Sequence, residues 1–277
     1  MKCELKDGGF IHYEVHGDTG DWLMINNGLM MNTTSWYELK PHFSRNHRLL
    51  LFDFRDQLQS SKLDHLEDGY TAALHSEDML QLLDHLKIDK VNMFGVSYGG
   101  QCALDFASKY QDRLDRLMLM SIGPKASRFL VAIGDAWDVA SELKDAEKFF
   151  ALGMPFVYGP DFYETHQQWL KDRKEMFKQY LKDDWFDALI RLSKSAKKFD
   201  YTDSIDKIEC PTLCVCGDID QLTSVAEMKQ ICNTVKQGTM LVIPDAAHGA
   251  ILERQRAFAT AILGFMANDF RNIPSVS

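Results

Sequence analysis

Met93-Phe94-Gly95-Val96-Ser97-Tyr98-Gly99-Gly100 lies between two segments of different periodicity. The preceding residues, Lys90 to Phe94, are apolar and β-branched as in a buried strand, whereas Gln101 to Tyr110 has the apolar spacing of an amphipathic helix. The sequence therefore predicts a strand, a sharp turn and a helix. The Gly-x-Ser-x-Gly spacing removes Cβ atoms where strand and helix approach, and it exposes Ser97 beside the positive helix N-terminus, as a nucleophile requires. A small-residue turn in any parallel sheet has the same pattern, so Ser97 needs partners.

The composition of the 277 residues is typical of a globular protein, with 45% hydrophobic and 26% charged residues. The net charge is −9, and no basic run is longer than Lys197-Lys198, which argues against nucleic acid or an anionic membrane surface as a partner. No window approaches eighteen consecutive apolar residues, and residues 1–6 lack the apolar core of a signal peptide. We expect a cytoplasmic monomer or homodimer without membrane insertion.

The six cysteines are scattered along the chain, mostly within apolar segments, which predicts buried free thiols rather than a disulfide framework. Cys214 and Cys216 share one face of a predicted strand. No second His or Cys pair stands nearby in the sequence to complete a metal site with them. We therefore expect no metal.

Alternating strands and helices occupy both ends of the chain. The predicted strands are Lys2–Leu5, Phe10–His16, Trp22–Asn26, Arg48–Phe54, Lys90–Phe94, Leu114–Met120, Pro211–Gly217 and Thr239–Ile243. The predicted helices are Ser35–Phe43 with Ser35 as N-cap, Thr71–Leu86, Gln101–Tyr110, Ser224–Val235 and Ile251–Asp269. Apolar strands that alternate with helices predict right-handed crossovers and a mostly parallel sheet, preceded here by an antiparallel hairpin.

The alternation stops between Pro124 and Ile208, where the pattern is helical and rich in aromatic residues. The sequence therefore predicts a helical cap, residues 124–208, inserted into an α/β core domain of residues 1–123 and 209–277. Most of the aromatic side chains are expected to form the core of the cap. The segment Gly153–Pro160, with its prolines and glycines, is the part expected to be non-helical.

A serine hydroxyl becomes a nucleophile when a base lies within hydrogen-bond reach and a carboxylate orients that base. Both should follow the carboxyl ends of later strands, at the edge towards which Ser97 points. His248 follows the last predicted strand among small residues, whereas the other eight histidines precede the turn or lie in the cap. For the carboxylate, Asp218, Asp220 and Asp245 are candidates, each of which could instead be a turn residue.

These residues resemble the α/β-hydrolase fold family over nearly the whole chain. The family order of nucleophile, acid and histidine matches Ser97, Asp220 and His248, and Asp220 stands three residues after Gly217, where the family keeps its acid. The resemblance implies an eight-stranded, mostly parallel sheet with flanking helices. It also implies a helical cap inserted after the sixth strand.

A tetrahedral oxyanion needs two backbone N–H donors. The turn geometry assigns one to Tyr98, directly after the nucleophile, and the resemblance assigns the other to Leu29, after Asn27-Gly28. Asn27 stands where the family has histidine. This departure affects the hydrogen bonds that support the loop rather than the donor itself.

A second departure lies in Asp53–Ser61, which resembles the family's Asp-x-Arg-Gly-x-Gly-x-Ser loop with Asp56 and Leu58 in place of both glycines. Positive φ angles would strain these residues, so we expect the loop to take another shape. Together with Asn27–Ser35, these features resemble the acyltransferases that build rhamnolipid precursors.

The resemblance implies a cofactor-independent serine hydrolase that cleaves a carboxylic ester, thioester or lactone through an acyl-enzyme. The aromatic residues and methionines of the cap indicate a small, apolar acyl or aromatic substrate. An acyltransferase with an alcohol acceptor would use the same residues. A non-catalytic ligand-binding member of the fold is disfavoured by the intact Ser, Asp and His. Dehalogenases and epoxide hydrolases of this fold use an aspartate nucleophile, which Ser97 replaces.

Overall fold

The computed structural model describes residues 1–66 and 69–267. Within them, eight strands form one sheet in the order β1-β2-β4-β3-β5-β6-β7-β8. The strands are β1 Lys2–Glu4, β2 Phe10–His16, β3 Trp22–Asn26, β4 Arg48–Phe52, β5 Val91–Val96, β6 Leu114–Met120, β7 Thr212–Gly217 and β8 Gly238–Ile243. β2 pairs antiparallel with β1 and β4, and every other pairing is parallel. The predicted α/β fold with a mostly parallel sheet is confirmed.

Helices cover both faces of this sheet. The α-helices of the described residues are α1 Lys40–Phe43, α2 Ala72–His85, α3 Tyr98–Lys109, α4 Arg128–Glu142, α5 Ala146–Gly153, α6 Pro160–Thr165, α7 Gln167–Tyr180, α8 Asp183–Ala196, α9 Val225–Thr234, α10 Ala250–Glu253 and α11 Gln255–Ala267. Leu82 of α2, Phe106 of α3 and Ile231 of α9 belong to one buried cluster. Phe43 of α1 and Phe258 of α11 belong to a second. Strands between two such clusters are buried on both sides, which explains their continuous apolar sequences.

The parallel strands end at one common edge. Asn26 at the end of β3 pairs with Gly95 near the end of β5, and Gly217 at the end of β7 pairs with Ile243 at the end of β8. Loops that leave these strands therefore meet in space although they are far apart in the sequence.

The prediction of Ser35 as a helix N-cap is wrong. Asn32 caps a 3₁₀ turn over Thr33–Trp36, and Ser35 accepts a hydrogen bond from the Asn32 backbone N–H in a capping box. α1 is a separate turn that begins only at Lys40. Asparagine is as good an N-cap as serine, and it stands three residues earlier.

Five helices, α4 to α8, fill the chain between β6 and β7. Aromatic residues pack together in their core, among them Phe149, Phe150, Phe177 and Phe186. The segment expected to be non-helical contains a 3₁₀ turn, Met154–Phe156, between α5 and α6. The last predicted helix is divided into α10 and α11, and its final residues, 268 and 269, lie outside the described residues.

The six cysteines are free, as predicted. In the described part of the chain, no group of His, Cys, Asp and Glu side chains is arranged to hold a metal ion. None of the described helices is both long enough and apolar enough to cross a membrane.

Candidate active site

Ser97 occupies the turn between β5 and α3 in a strained backbone conformation. Its φ is +51° and its ψ is −120°, outside the regions that a non-glycine residue usually adopts. A larger residue would clash at either neighbouring glycine. A Cβ on Gly95 would lie 2.5 Å from the Gly99 carbonyl oxygen, and a Cβ on Gly99 would lie 2.2 Å from the Asn26 carbonyl oxygen. The predicted strand, turn and helix are therefore all present, with a partly exposed Ser97 at the strand end.

His248 and Asp220 reach Ser97 from the loops that follow β8 and β7. The Nε2 atom of His248 lies 3.0 Å from Ser97 Oγ. Its Nδ1 atom lies 3.0 Å and 3.2 Å from the two carboxylate oxygens of Asp220. Of the three candidate carboxylates, Asp220 is the one that pairs with His248, since Asp218 accepts a hydrogen bond from the backbone N–H of Ala246 instead.

Several donors hold the Asp220 carboxylate in place. It accepts hydrogen bonds from the backbone N–H groups of Leu222 and Thr223 and from the Thr223 hydroxyl. Burial raises the pKa of this carboxyl, but the attraction of His248 and the hydrogen bonds from His248 and Thr223 outweigh burial, so the pKa lies below its ordinary value. A carboxylate that stays ionised favours the proton on Nδ1 of His248 and leaves Nε2 free to accept the proton of Ser97.

The backbone N–H groups of Leu29 and Tyr98 are the predicted oxyanion donors. Tyr98 is the first residue of α3, where helical N–H groups have no intrahelical acceptor. Neither N–H group donates a hydrogen bond within the described residues. Gly28 adjoins the nucleophile, since a Cβ built on it would lie 3.7 Å from Ser97 Cβ. Two free donors therefore belong to segments that meet at the serine.

Asn27 supports this loop by a set of hydrogen bonds in which Gln57 takes part. Asn27 Nδ2 donates to the Phe52 carbonyl at 2.7 Å, and Asn27 Oδ1 accepts from Trp36 Nε1 at 2.7 Å. Gln57 Nε2 donates to the Gly28 carbonyl at 2.9 Å, directly before Leu29. Sequence reasoning missed Gln57, although its position in the altered Asp53–Ser61 loop was a signal.

The expectation that the Asp53–Ser61 loop takes another shape is wrong at Asp56. Asp56 keeps a left-handed conformation with φ +71°, whereas Leu58 is not among the residues with positive φ. Aspartate tolerates this region better than most residues. Its buried carboxylate also accepts hydrogen bonds from Arg191 of α8 at 2.6 Å and 3.0 Å and from the Tyr70 hydroxyl at 2.8 Å. These contacts stabilise a conformation that glycine would adopt without strain.

Two cavities open beside Ser97 under α4 to α8. The larger, about 130 Å³, is lined mainly by apolar side chains, including Met30, Met154 and Phe177. The smaller, about 40 Å³, extends towards Gln101 of α3. Ser97, His248, Leu29 and Trp137 line both cavities.

Known proteins resemble this chain in sequence and in structure. The family model for the alpha/beta hydrolase fold matches residues 21–255. The crystal structure of MGS-M2, an alpha/beta hydrolase enzyme from a Medee basin deep-sea metagenome library, is 34% identical with a TM-score of 0.90, covering 94% of this chain and 95% of that one. The enol-lactonase of Burkholderia xenovorans LB400 is 20% identical with a TM-score of 0.83, covering 97% and 100%. The 3-oxoadipate enol-lactonase 2 of Acinetobacter baylyi is 21% identical over 88% of both chains.

Proposed function

Because this chain belongs to the α/β-hydrolase fold family, we propose that it is a serine hydrolase that cleaves a carboxylic ester, thioester or lactone. The observation that carries the proposal is the hydrogen-bonded series from Ser97 Oγ through His248 to Asp220, with 3.0 Å at both junctions. Relatives that are named enol-lactonases and solved structures that are named esterases support the same chemistry.

In the proposed reaction, Ser97 Oγ attacks the carbonyl carbon while His248 Nε2 takes the hydroxyl proton. The charge that develops on the carbonyl oxygen is held by the N–H groups of Leu29 and Tyr98. When the C–O or C–S bond breaks, His248 returns the proton to the departing oxygen or sulfur. An acyl ester on Ser97 remains.

A water molecule then gives its proton to His248 and attacks the acyl carbon. Collapse of the second tetrahedral intermediate releases the acid and returns the proton to Ser97. Asp220 keeps its charge throughout and stabilises the imidazolium that forms twice in the cycle.

The substrate is proposed to be a small molecule whose apolar part lies in the larger cavity. Residues 124–208 act as a cap over the core of residues 1–123 and 209–277 in this proposal. Met154 and Phe177 of that segment, together with Met30 of the core, offer adaptable apolar surface beside Ser97.

A fluorophosphonate probe tests the acyl-enzyme directly. The wild-type protein should be labelled once, at Ser97, and the Ser97→Ala variant should not be labelled. Ser224→Ala, at the N-cap of α9, is the matched control and should be labelled like the wild type. An unlabelled wild type, in a reaction where a known serine hydrolase is labelled, would refute the mechanism.

The fate of the acyl group separates hydrolysis from transfer to an alcohol. Turnover of p-nitrophenyl esters of graded chain length in the presence of competing alcohols should yield the free acid as the main product. An ester as the main product would make the protein an acyltransferase. Full cellular function of Ser97→Ala would instead indicate a non-catalytic ligand-binding protein.

A further inference from the structure

We propose that the larger cavity binds substrates that carry a carboxylate, which the guanidinium of Arg173 recognises at the end of the cavity formed by α7. This inference rests on the proposed hydrolase function and adds the class of its substrate. It concerns acids whose acyl chain bears both a cleavable ester, thioester or lactone bond and a free carboxylate.

Arg173 lines the same cavity as Ser97, and within the described residues its guanidinium has no carboxylate as an ion-pair partner. The guanidinium stands 5.8 Å from the ring of Trp169 and 5.4 Å from that of Phe177. Its Nε is buried and has no hydrogen-bond partner, and Nη1 is 3.8 Å from the Met176 sulfur. Across the described residues, no acidic side chain lies within the 4.0 Å ion-pair distance of Arg173.

Two other arginines whose side chains are largely shielded from solvent, Arg55 at 5% exposure and Arg191 at 20%, show what such a side chain normally does. Arg55 pairs with Asp78 at 2.7 Å, and Arg191 pairs with Asp56 at 2.6 Å. Removing a guanidinium from water is unfavourable unless an acceptor replaces the water, and a carboxylate does so with two parallel hydrogen bonds. Among the described residues, the Arg173 guanidinium thus lacks the carboxylate partner that the guanidinium groups of Arg55 and Arg191 have.

The charge around the cavity favours an anion as the missing partner. The protein as a whole carries a net charge of −9, yet neither aspartate nor glutamate is among the described residues that line this cavity. Arg173 adjoins the buried Tyr158 hydroxyl: burial raises the pKa of Tyr158, and the positive charge of Arg173 and a hydrogen bond from it act in the opposite direction. An anionic group in the cavity would therefore meet donors and one positive charge, with no acidic side chain at its walls.

Trp137 supplies a second, independent observation. Its side chain is 7% exposed, it lines both cavities beside Ser97, and its Nε1 atom is buried without a partner. A buried donor without an acceptor is unfavourable, and a substrate oxygen that accepts its hydrogen bond would remove this cost. The site therefore combines apolar walls with unpaired donors, which suits an apolar chain with an oxygen-rich acidic end.

The test compares p-nitrophenyl half-esters of dicarboxylic acids of graded chain length with the same compounds methylated at the free carboxyl group. The uncatalysed rate is taken from Ser97→Ala. We expect the free carboxylate to be preferred by about tenfold or more in kcat/KM at the best chain length, through a lower KM. In Arg173→Met this preference should be lost.

Two further variants make the result specific. Lys174→Met removes a positive charge from the same helix, but Lys174 pairs with Glu147 at 3.0 Å and does not line the cavity, so the preference should persist. Arg173→Lys keeps the charge without the planar fork and should give an intermediate preference. This variant also serves if Arg173→Met does not fold.

The inference is wrong if the neutral ester is preferred at every chain length, or if Arg173→Met leaves the ratio of the two kcat/KM values unchanged. Such a result, with fluorophosphonate labelling intact, would leave the proposed hydrolase standing. If labelling fails instead, thermal shifts of Ser97→Ala with dicarboxylate monoesters still test binding. A shift that Arg173→Met abolishes supports carboxylate recognition, and no shift with any of the monoesters refutes it.

Discussion

Ser97 and Asp56 both have positive φ, in loops that follow β5 and β4, but the two residues sustain this strain in different ways. The conformation of Ser97 is imposed from outside by Gly95 and Gly99, whose missing Cβ atoms let the backbones nearly touch, so its side chain stays free to face His248. Asp56 is held by its own carboxylate, which binds Arg191 and two further donors. A positive φ thus accompanies a hydroxyl that faces His248 in the Ser97 loop. In the Asp56 loop it accompanies a carboxylate that pairs with Arg191 of α8.

The largest effect should follow from Ser97→Ala, which removes the proposed nucleophile and, within the described residues, only the side-chain hydrogen bond to His248. We expect kcat to fall about 10⁴-fold or more. The free energy of unfolding should not fall, and in Ser97→Gly it should rise by about 1 kcal/mol as the φ strain is relieved. Steady-state kinetics and urea denaturation measure both quantities. A variant that retains about a tenth of the activity would contradict the proposed role.

At Asp56 we expect a substitution to lower the free energy of unfolding, because the Asp56 side chain holds its own loop in place through Arg191. Asp56→Ala should lower the free energy of unfolding by about 3 kcal/mol, because it leaves the Arg191 guanidinium unpaired and keeps the strained φ. Asp56→Gly should cost about 1 kcal/mol less, since glycine accepts this φ. The exposed Asp64 offers the control, and Asp64→Ala should change stability by less than about 0.5 kcal/mol in the same urea titration. Equal costs for the alanine and glycine variants would show that strain plays no part.

A smaller effect should arise one residue further on, at Gln57, which connects the Asp56 loop to the oxyanion loop. Gln57→Leu removes the hydrogen bond to the Gly28 carbonyl, so the Leu29 N–H should be held less accurately. We expect kcat to fall about tenfold with KM little changed, because the donor acts mainly on the transition state. Gln59→Leu, in the same loop but exposed, should leave kcat unchanged. A rise in KM alone would point to ground-state binding instead.

The smallest effect concerns a second buried carboxylate, Asp220, and it depends on pH. Its pKa is lowered in the folded protein, so its contribution to stability is present above the unfolded value of about 4 and is lost as pH falls through the folded value. The difference in unfolding free energy between wild type and Asp220→Asn should therefore shrink as pH falls from about 7 to 3. Urea titrations across that range measure it. A difference that does not change with pH would argue against an ionised Asp220.

The sheet could be read from the sequence because its information is local. The apolar runs predict the ends of the strands to within two residues. Because parallel strands end at a common edge, the sequence also predicts that Ser97, Asp220 and His248 lie near one another. The three side chains are joined by hydrogen bonds in the structure. Their catalytic roles and the division into core and cap stay predictions. The hydrogen bond of Trp36 to Asn27 was not foreseen, because it depends on how one loop folds back on itself.

Contacts between the core and α4 to α8 could not be read in the same way. Asp56 and Arg191 are 135 positions apart, and no periodicity links them. Arg173 belongs to a helix whose charged residues look like a solvated face, yet it lines the cavity, with its guanidinium beside the rings of Trp169 and Phe177. Such pairings follow from docking of whole elements, which depends on all their side chains together.

Leu29 lies at the wall of both cavities, and its backbone and side chain have separable tasks. The N–H group that is proposed to hold the oxyanion is common to all amino acids except proline. Position 29 is therefore a natural site for directed evolution, because a library of substitutions there would reshape both cavities without deleting the donor. Leu29→Pro is the one member of such a library that lacks the N–H group, so it should be inactive and can serve as the negative control of the screen.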